Sequence, residues 1–114
     1  MITVNRTAAL IKPSQLFLDW LHRVDPENAD LPLAAVQSDC SIYLIPECES
    51  DEEAYEYLEE ACAEMFEEQL SSWLDEPASW PEDRSFQVFA EWFEITLHSM
   101  LIDLSDEPIL KQAY

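Results

Sequence analysis

The chain contains no glycine, and this absence restricts its turns more than any other sequence feature. Tight two-residue hairpins need positive backbone φ, which glycine adopts without a steric penalty. The P-loop, the dinucleotide-binding fingerprint and the glycine-flanked nucleophile elbow also depend on glycine. We therefore expect the strands to be joined through helices or longer loops, and these three classes of site are excluded.

Three segments predict strands. Residues 2–12 carry β-branched side chains and end in an apolar run before Pro13, which lacks an amide donor. Ser41–Pro46 is a short β-branched and aromatic run that we expect to pair with the first strand. Residues 101–104 form a further short candidate. A small sheet of two or three short strands is therefore expected.

Helical spacing of apolar residues marks four further segments. Residues 14–24 predict a short amphipathic helix, residues 33–37 one or two helical turns, and residues 86–100 a core-facing helix. The longest periodic segment covers residues 51–74 and begins with a capping box, in which Ser50 is followed three residues later by Glu53. This segment predicts one long amphipathic helix.

Length and composition indicate how many domains the chain forms. A chain of 114 residues that is 48% hydrophobic falls within the range of one domain with its own core. The predicted helices and strands do not alternate regularly enough for a doubly wound sheet. Residues 1–114 are therefore expected to form a single acidic globular domain of the α+β class, with about four helices packed on the small sheet.

The charge balance is the most unusual quantity, since 25 Asp and Glu face only 5 Lys and Arg, leaving a formal net charge of -20. Such a chain repels nucleic acids and anionic membrane surfaces, whereas it attracts basic proteins and cations. Residues 1–12 lack the pattern of a signal peptide, and no apolar run reaches the ~20 residues needed to cross a bilayer. We expect a cytoplasmic protein that binds neither nucleic acid nor membrane directly.

The acid residues concentrate on one side of the predicted long helix. At the helical period, its other side carries the apolar residues Ala54, Tyr55, Leu58, Ala61, Cys62, Met65, Phe66 and Trp73, and is expected to face the core. No Lys or Arg lies between Arg23 and Arg84 to neutralise the acids. We call the following set the acidic face: Glu52, Glu53, Glu56, Glu59, Glu60, Glu64, Glu67 and Glu68.

Folding alone does not favour this pattern, because like charges four residues apart cost about 0.2 to 0.5 kcal/mol per pair in an isolated helix. The spacing is roughly one charge per 3 Å, comparable to about one per 3.4 Å along a DNA strand. The expected partner is a basic protein, and imitation of a nucleic acid, as a mimic or inhibitor, is one form of that recognition. The alternative is a solvated helix face that serves solubility or a saline habitat.

A second hypothesis is a small enzyme or ligand-binding protein that uses a histidine as a general base. Asp19 precedes His22 by three residues and Glu94 precedes His98 by four, so each histidine has a carboxylate that could orient it. The alternative interpretation gives both histidines structural positions at helix ends. We assign no catalytic residue on this pattern.

Three cysteines at irregular spacing, Cys40, Cys48 and Cys62, form no CxxC pair and are expected to be reduced thiols. With His98 they are numerous enough for one zinc ion, but no two share a zinc-knuckle spacing. No metal and no cofactor is assigned. A third hypothesis is a structural homodimer that assembles through an apolar surface away from the glutamates.

Four stretches of the chain carry a family resemblance: Phe17-Leu-Asp-Trp-Leu, Tyr43-Leu-Ile-Pro-Glu, Phe66-Glu-Glu-Gln-Leu, and Trp92-Phe-Glu through His98-Ser-Met. With them the chain resembles, over most of its length, a family of short, acidic, uncharacterised bacterial proteins, and the resemblance implies no activity. Small acidic inhibitors that imitate DNA, and immunity proteins that neutralise basic nucleases, are similar in charge and size alone.

Overall fold

The protein is an α+β domain, as the sequence predicts. A computed structural model describes residues 1–113. Its elements follow in the order β1 (Ile2–Thr3), β2 (Arg6–Pro13), α1 (Gln15–Val24), α2 (Leu33–Val36), β3 (Ser41–Pro46), α3 (Asp51–Glu60), α4 (Cys62–Trp73), α5 (Phe86–Trp92), β4 (Phe93–His98) and β5 (Ile102–Asp103), with 3-10 turns at Pro26–Asn28 and Pro77–Ser79.

The main sheet is antiparallel and has the strand order β3-β2-β4. Leu10 of the central strand β2 pairs with Ile42 of β3 on one side and with Thr96 of β4 on the other, which confirms the expected pairing of the first two strands. Helices α1 and α2 connect β2 to β3, and α3 to α5 connect β3 to β4. No residue from 1 to 113 has positive φ, as expected of a chain without glycine.

The first predicted strand is divided into two. Val4 and Asn5 interrupt it, so that β1 pairs with β5 in a separate two-stranded sheet. The Val4 amide donates to the Leu101 carbonyl at 2.9 Å and extends the contact between the segments that carry β1 and β5. The expected strand at 101–104 therefore exists, but it lies outside the main sheet.

The predicted helix over residues 86–100 is wrong beyond Trp92. Helix α5 ends there, and Phe93–His98 continues as strand β4. From Phe93 onward burial alternates between successive residues, which is the period of a strand, and Ile95 and Thr96 are β-branched. Phe93 fits a helical stripe as well as a strand, so the apolar positions alone do not distinguish the two.

The predicted long helix over residues 51–74 is bent into two helices at Ala61, where ψ is 1° instead of a helical value. Hydrogen bonds continue across the bend, because the Ala61 amide donates to Tyr57 O and the Met65 amide to Ala61 O, each at 3.1 Å. None of the helices within residues 1–113 has the length and apolarity required to span a bilayer.

Four phenylalanine side chains at the centre of the core join the helices to the sheet. Phe17 of α1, Phe66 of α4, Phe89 of α5 and Phe93 of β4 are each at most 1% exposed. Ring centroids are 5.3 Å apart for Phe17 and Phe93, 5.4 Å for Phe66 and Phe89, and 4.7 Å for Phe89 and Phe93. Tilted and edge-on pairs at these distances add to the hydrophobic stabilisation.

Replacing Phe66 by alanine is expected to lower the free energy of unfolding by about 3 to 5 kcal/mol, because a fully buried ring is removed and a cavity remains. Chemical denaturation followed by far-UV circular dichroism measures this. Tyr57→Ala is the matched control, since Tyr57 is 41% exposed and its loss should cost about 0.5 kcal/mol or less. Equal losses for the two variants would contradict this description of the core.

Candidate acidic interaction surface

The acidic face is directed to solvent by the apolar stripe on the opposite side of α3 and α4. Leu58, Phe66 and Leu70 are completely buried, so the residues on the other side of the same helices point away from the core. Seven of the eight glutamates predicted for the acidic face are exposed, namely Glu52, Glu53, Glu56, Glu59, Glu60, Glu64 and Glu67.

Glu68 departs from the expected arrangement, because it is half-buried and accepts a hydrogen bond from the Tyr43 hydroxyl. The buried Gln69 side chain donates from Nε2 to the same Tyr43 oxygen at 2.9 Å. Sequence reasoning missed this contact between α4 and β3. The signal available was Gln69, which lies three residues after Phe66 on the apolar stripe, where a polar residue needs a partner.

The start of α3 is fixed by a capping arrangement that involves Glu53. Ser50 Oγ accepts the Glu53 amide at 3.1 Å, as the capping box predicts. The Glu53 carboxylate accepts the amide of Glu49 at 3.1 Å, one residue before the expected partner Ser50. Asp51, Glu52 and Glu53 occupy the first turn, where negative charge interacts favourably with the helix dipole.

The bend at Ala61 divides the acidic face into two groups. Helix α3 carries five of the eight glutamates and α4 carries three. Of the like-charge pairs four residues apart, only the pair of Glu60 and Glu64 crosses the bend. The even linear spacing assumed from the sequence is therefore interrupted once, although both groups remain free of basic residues along the segment.

A surface groove lies beside α3, where the end of β3 approaches the helix. Its volume is about 190 Å³. Tyr57 is 41% exposed at this groove, so an aromatic ring stands among carboxylates. The groove is lined by Pro46, Cys48, Glu53, Glu56, Tyr57 and Glu60. We call it the tyrosine groove.

The two histidines occupy unrelated positions. His22 lies in the last turn of α1, is half-buried, and has Nε2 2.8 Å from the Leu31 carbonyl oxygen. His98 is the exposed last residue of β4. Because this segment is a strand, Glu94 and His98 are not one helical turn apart, as the sequence predicted. A cavity of about 230 Å³ between the start of β3 and α4 is lined in part by Asp39, Cys40 and Trp73, and neither histidine lines it.

The cysteine thiols are unpaired and separated: Cys40 and Cys48 lie in the loops before and after β3, and Cys62 begins α4. Cys40 Sγ donates to Gln37 O at 3.2 Å and Cys48 Sγ to Pro46 O at 3.0 Å. Burial, followed by the nearby Glu59 carboxylate, raises the pKa of the Cys62 thiol above its ordinary value, so Cys62 remains protonated at neutral pH and is a poor nucleophile. Within residues 1–113, no three His, Cys, Asp or Glu side chains are grouped as metal ligands.

Comparison with protein-family models, with curated proteins and with solved structures finds no match for this chain. Function must therefore be argued from the surfaces of the protein itself.

Replacing Tyr43 by phenylalanine is expected to lower the free energy of unfolding by about 1 to 3 kcal/mol, because the buried Gln69 side chain loses the partner of its Nε2 donor. The loss should be visible as an earlier denaturation midpoint at unchanged slope. Tyr57→Phe removes the same hydroxyl from an exposed ring and should leave the midpoint unchanged. If Tyr43→Phe behaves like Tyr57→Phe, the contact between β3 and α4 contributes nothing to stability.

Proposed function

We propose that this chain is a non-enzymatic interaction protein whose acidic face binds a basic protein. The observation that carries the proposal is the row of seven exposed glutamates on α3 and α4, with no basic residue between Arg23 and Arg84 to neutralise it. Such a surface raises the rate at which a positively charged protein encounters it. We further infer a bacterial protein from the family resemblance, and action in the cytoplasm from the three free thiols.

The cost of the arrangement supports a role in recognition. Glu52, Glu56 and Glu60 follow one another at intervals of four residues on α3, and each such like-charge pair costs about 0.2 to 0.5 kcal/mol. A helix selected for stability alone would alternate Glu with Lys at these positions. A basic partner would relieve the repulsion on binding, because its cations would lie between the carboxylates.

The tyrosine groove indicates which basic side chain such a partner would present. An arginine guanidinium can stack on the exposed face of Tyr57 and donate two parallel hydrogen bonds to a carboxylate such as Glu56 or Glu60. A lysine ammonium is compact and strongly hydrated, so it matches this combination of ring and carboxylates less well. We therefore expect arginine-rich basic segments to bind more tightly than lysine-rich ones of equal charge.

Nucleic-acid imitation is the form of recognition that the charge spacing favours. A protein whose cationic surface is built to contact phosphates meets a comparable density of negative charge along α3 and α4. Binding would then occupy the cationic surface and block the nucleic acid. Competition between this chain and a duplex for the captured partner distinguishes inhibition from simple association.

The test is affinity capture from a bacterial lysate at low and high salt, with the Glu56→Gln/Glu60→Gln/Glu64→Gln variant in parallel. The wild-type chain should retain a basic protein at low salt and release it as screening increases. The variant should lose most of this capture while its unfolding free energy stays equal or rises by up to about 2 kcal/mol, because all four like-charge pairs are removed.

The matched control is Glu76→Gln/Glu82→Gln/Glu107→Gln, which removes three exposed glutamates that lie outside the acidic face. Both variants have the same net charge, so bulk electrostatics are equal. The control should capture the partner as the wild-type chain does. Equal loss in the two variants, or no basic partner at low salt, would mean that the acidity acts only as bulk charge and that the proposal is wrong.

A further inference from the structure

The outer face of the main sheet is apolar along β3 and the centre of β2, and polar along β4, where Glu94, Thr96 and His98 lie. Leu10, Ile42 and Leu44 pair across β2 and β3 in the register Leu10 to Ile42 and Ala8 to Leu44, so they lie on one face. Ile42 is 62% and Leu44 50% exposed. The hydrophobic core is built from the alternate residues of these strands, including Ala9, Ile11 and Ile45, and contains none of the outer-face residues.

Basic residues outnumber acidic ones on this outer face, whereas the chain as a whole is strongly acidic. Arg6 and Lys12 lie on it at the two ends of β2, and together they are two of the protein's five basic residues. Its one carboxylate is Glu94, which pairs with Lys12 in the register of β2 and β4. Strand β3, at the edge of the sheet, contains no charged residue at all.

We propose that a second copy of this chain covers the outer face, with the two sheets packed face to face and β2 antiparallel to the β2 of the second copy. In this arrangement Ile42 and Leu44 of each copy meet those of the other. Arg6 of one sheet lies at the end where Lys12 and Glu94 of the other sheet lie, so the Glu94 carboxylate is the counter-charge to the basic residues at each end of the contact. The contact is isologous and closes as a two-fold dimer.

Electrostatics favour a second copy as the occupant. Two molecules that each carry a formal net charge of -20 repel one another at most orientations, and the repulsion is weakest where carboxylates are scarce. The outer face meets this condition on both molecules at once. The exposed apolar side chains of Ile42 and Leu44 also form the kind of patch that monomeric proteins keep small.

The chain's own C-terminal segment is the main competing occupant. Ile109 and Leu110 are 61% and 84% exposed, and the preceding Asp106 and Glu107 could be drawn to Arg6 and Lys12 of a neighbouring molecule. The proposal commits to sheet-to-sheet packing, in which this segment contributes nothing. A substitution at Leu110 therefore separates the two arrangements.

Sedimentation equilibrium of the full chain at micromolar concentrations tests the dimer, whose mass should be twice the 13.2 kDa of the monomer. Leu44→Glu should raise the dissociation constant at least about tenfold, since it places a carboxylate in an apolar contact twice per dimer. Leu16→Glu is the matched control, because Leu16 on α1 is 47% exposed. Leu16→Glu and Leu110→Glu should each leave the dissociation constant unchanged.

A charge exchange tests the register of the two sheets. Glu94→Lys should weaken the dimer, because only cations then meet at each end of the contact. Glu94→Lys combined with Arg6→Glu should restore it, because the counter-charge then comes from the other sheet. Near-UV circular dichroism and unfolding midpoints establish that each variant is folded. A monomeric wild-type chain, an unaffected Leu44→Glu dimer, a dimer lost in Leu110→Glu, or a failure of the double exchange would each overturn the proposed packing.

Discussion

The burial of the apolar side of α4 against the phenylalanine core determines the chemical character of the protein's surface. Phe66 contacts the rings of Phe89 and Phe93, so α4 can lie on the sheet in only one rotational setting. With that setting fixed, seven of the eight glutamates on the opposite side lie in water, and only Glu68 is half-buried against Tyr43. The direction of the acidic face is therefore a consequence of core packing.

The same packing leaves the protein with two contrasting surfaces. The helices cover the inner face of a three-stranded sheet and leave its outer face open. One surface thus carries unneutralised carboxylates, and the other carries apolar side chains with two cations and the single carboxylate of Glu94. The first surface suits a basic protein, whereas the second suits a second copy of this chain.

Sequence patterns predicted those elements in which one periodicity dominates. Ser41–Pro46, the helix of residues 15–24 and the capping residue Ser50 are set by local chemistry, and the structure confirms them. Strand β4 could not be distinguished from a helix, because Phe93 and Leu97 satisfy both periods. The burial of Glu68 depends on Tyr43, which comes from a distant part of the chain, and no local sequence signal marks the bend at Ala61.

The most direct test of the acidic face is an amide chemical-shift map recorded while the labelled chain is titrated with an arginine-rich peptide. The account predicts that the largest changes lie in α3 and α4 around Tyr57, and exceed those at the acids of the loop at Asp25 and Asp30 and of the tail at Asp106 and Glu107. Changes spread evenly over all acidic segments would contradict it, because they would show that the peptide responds to net charge and not to this surface.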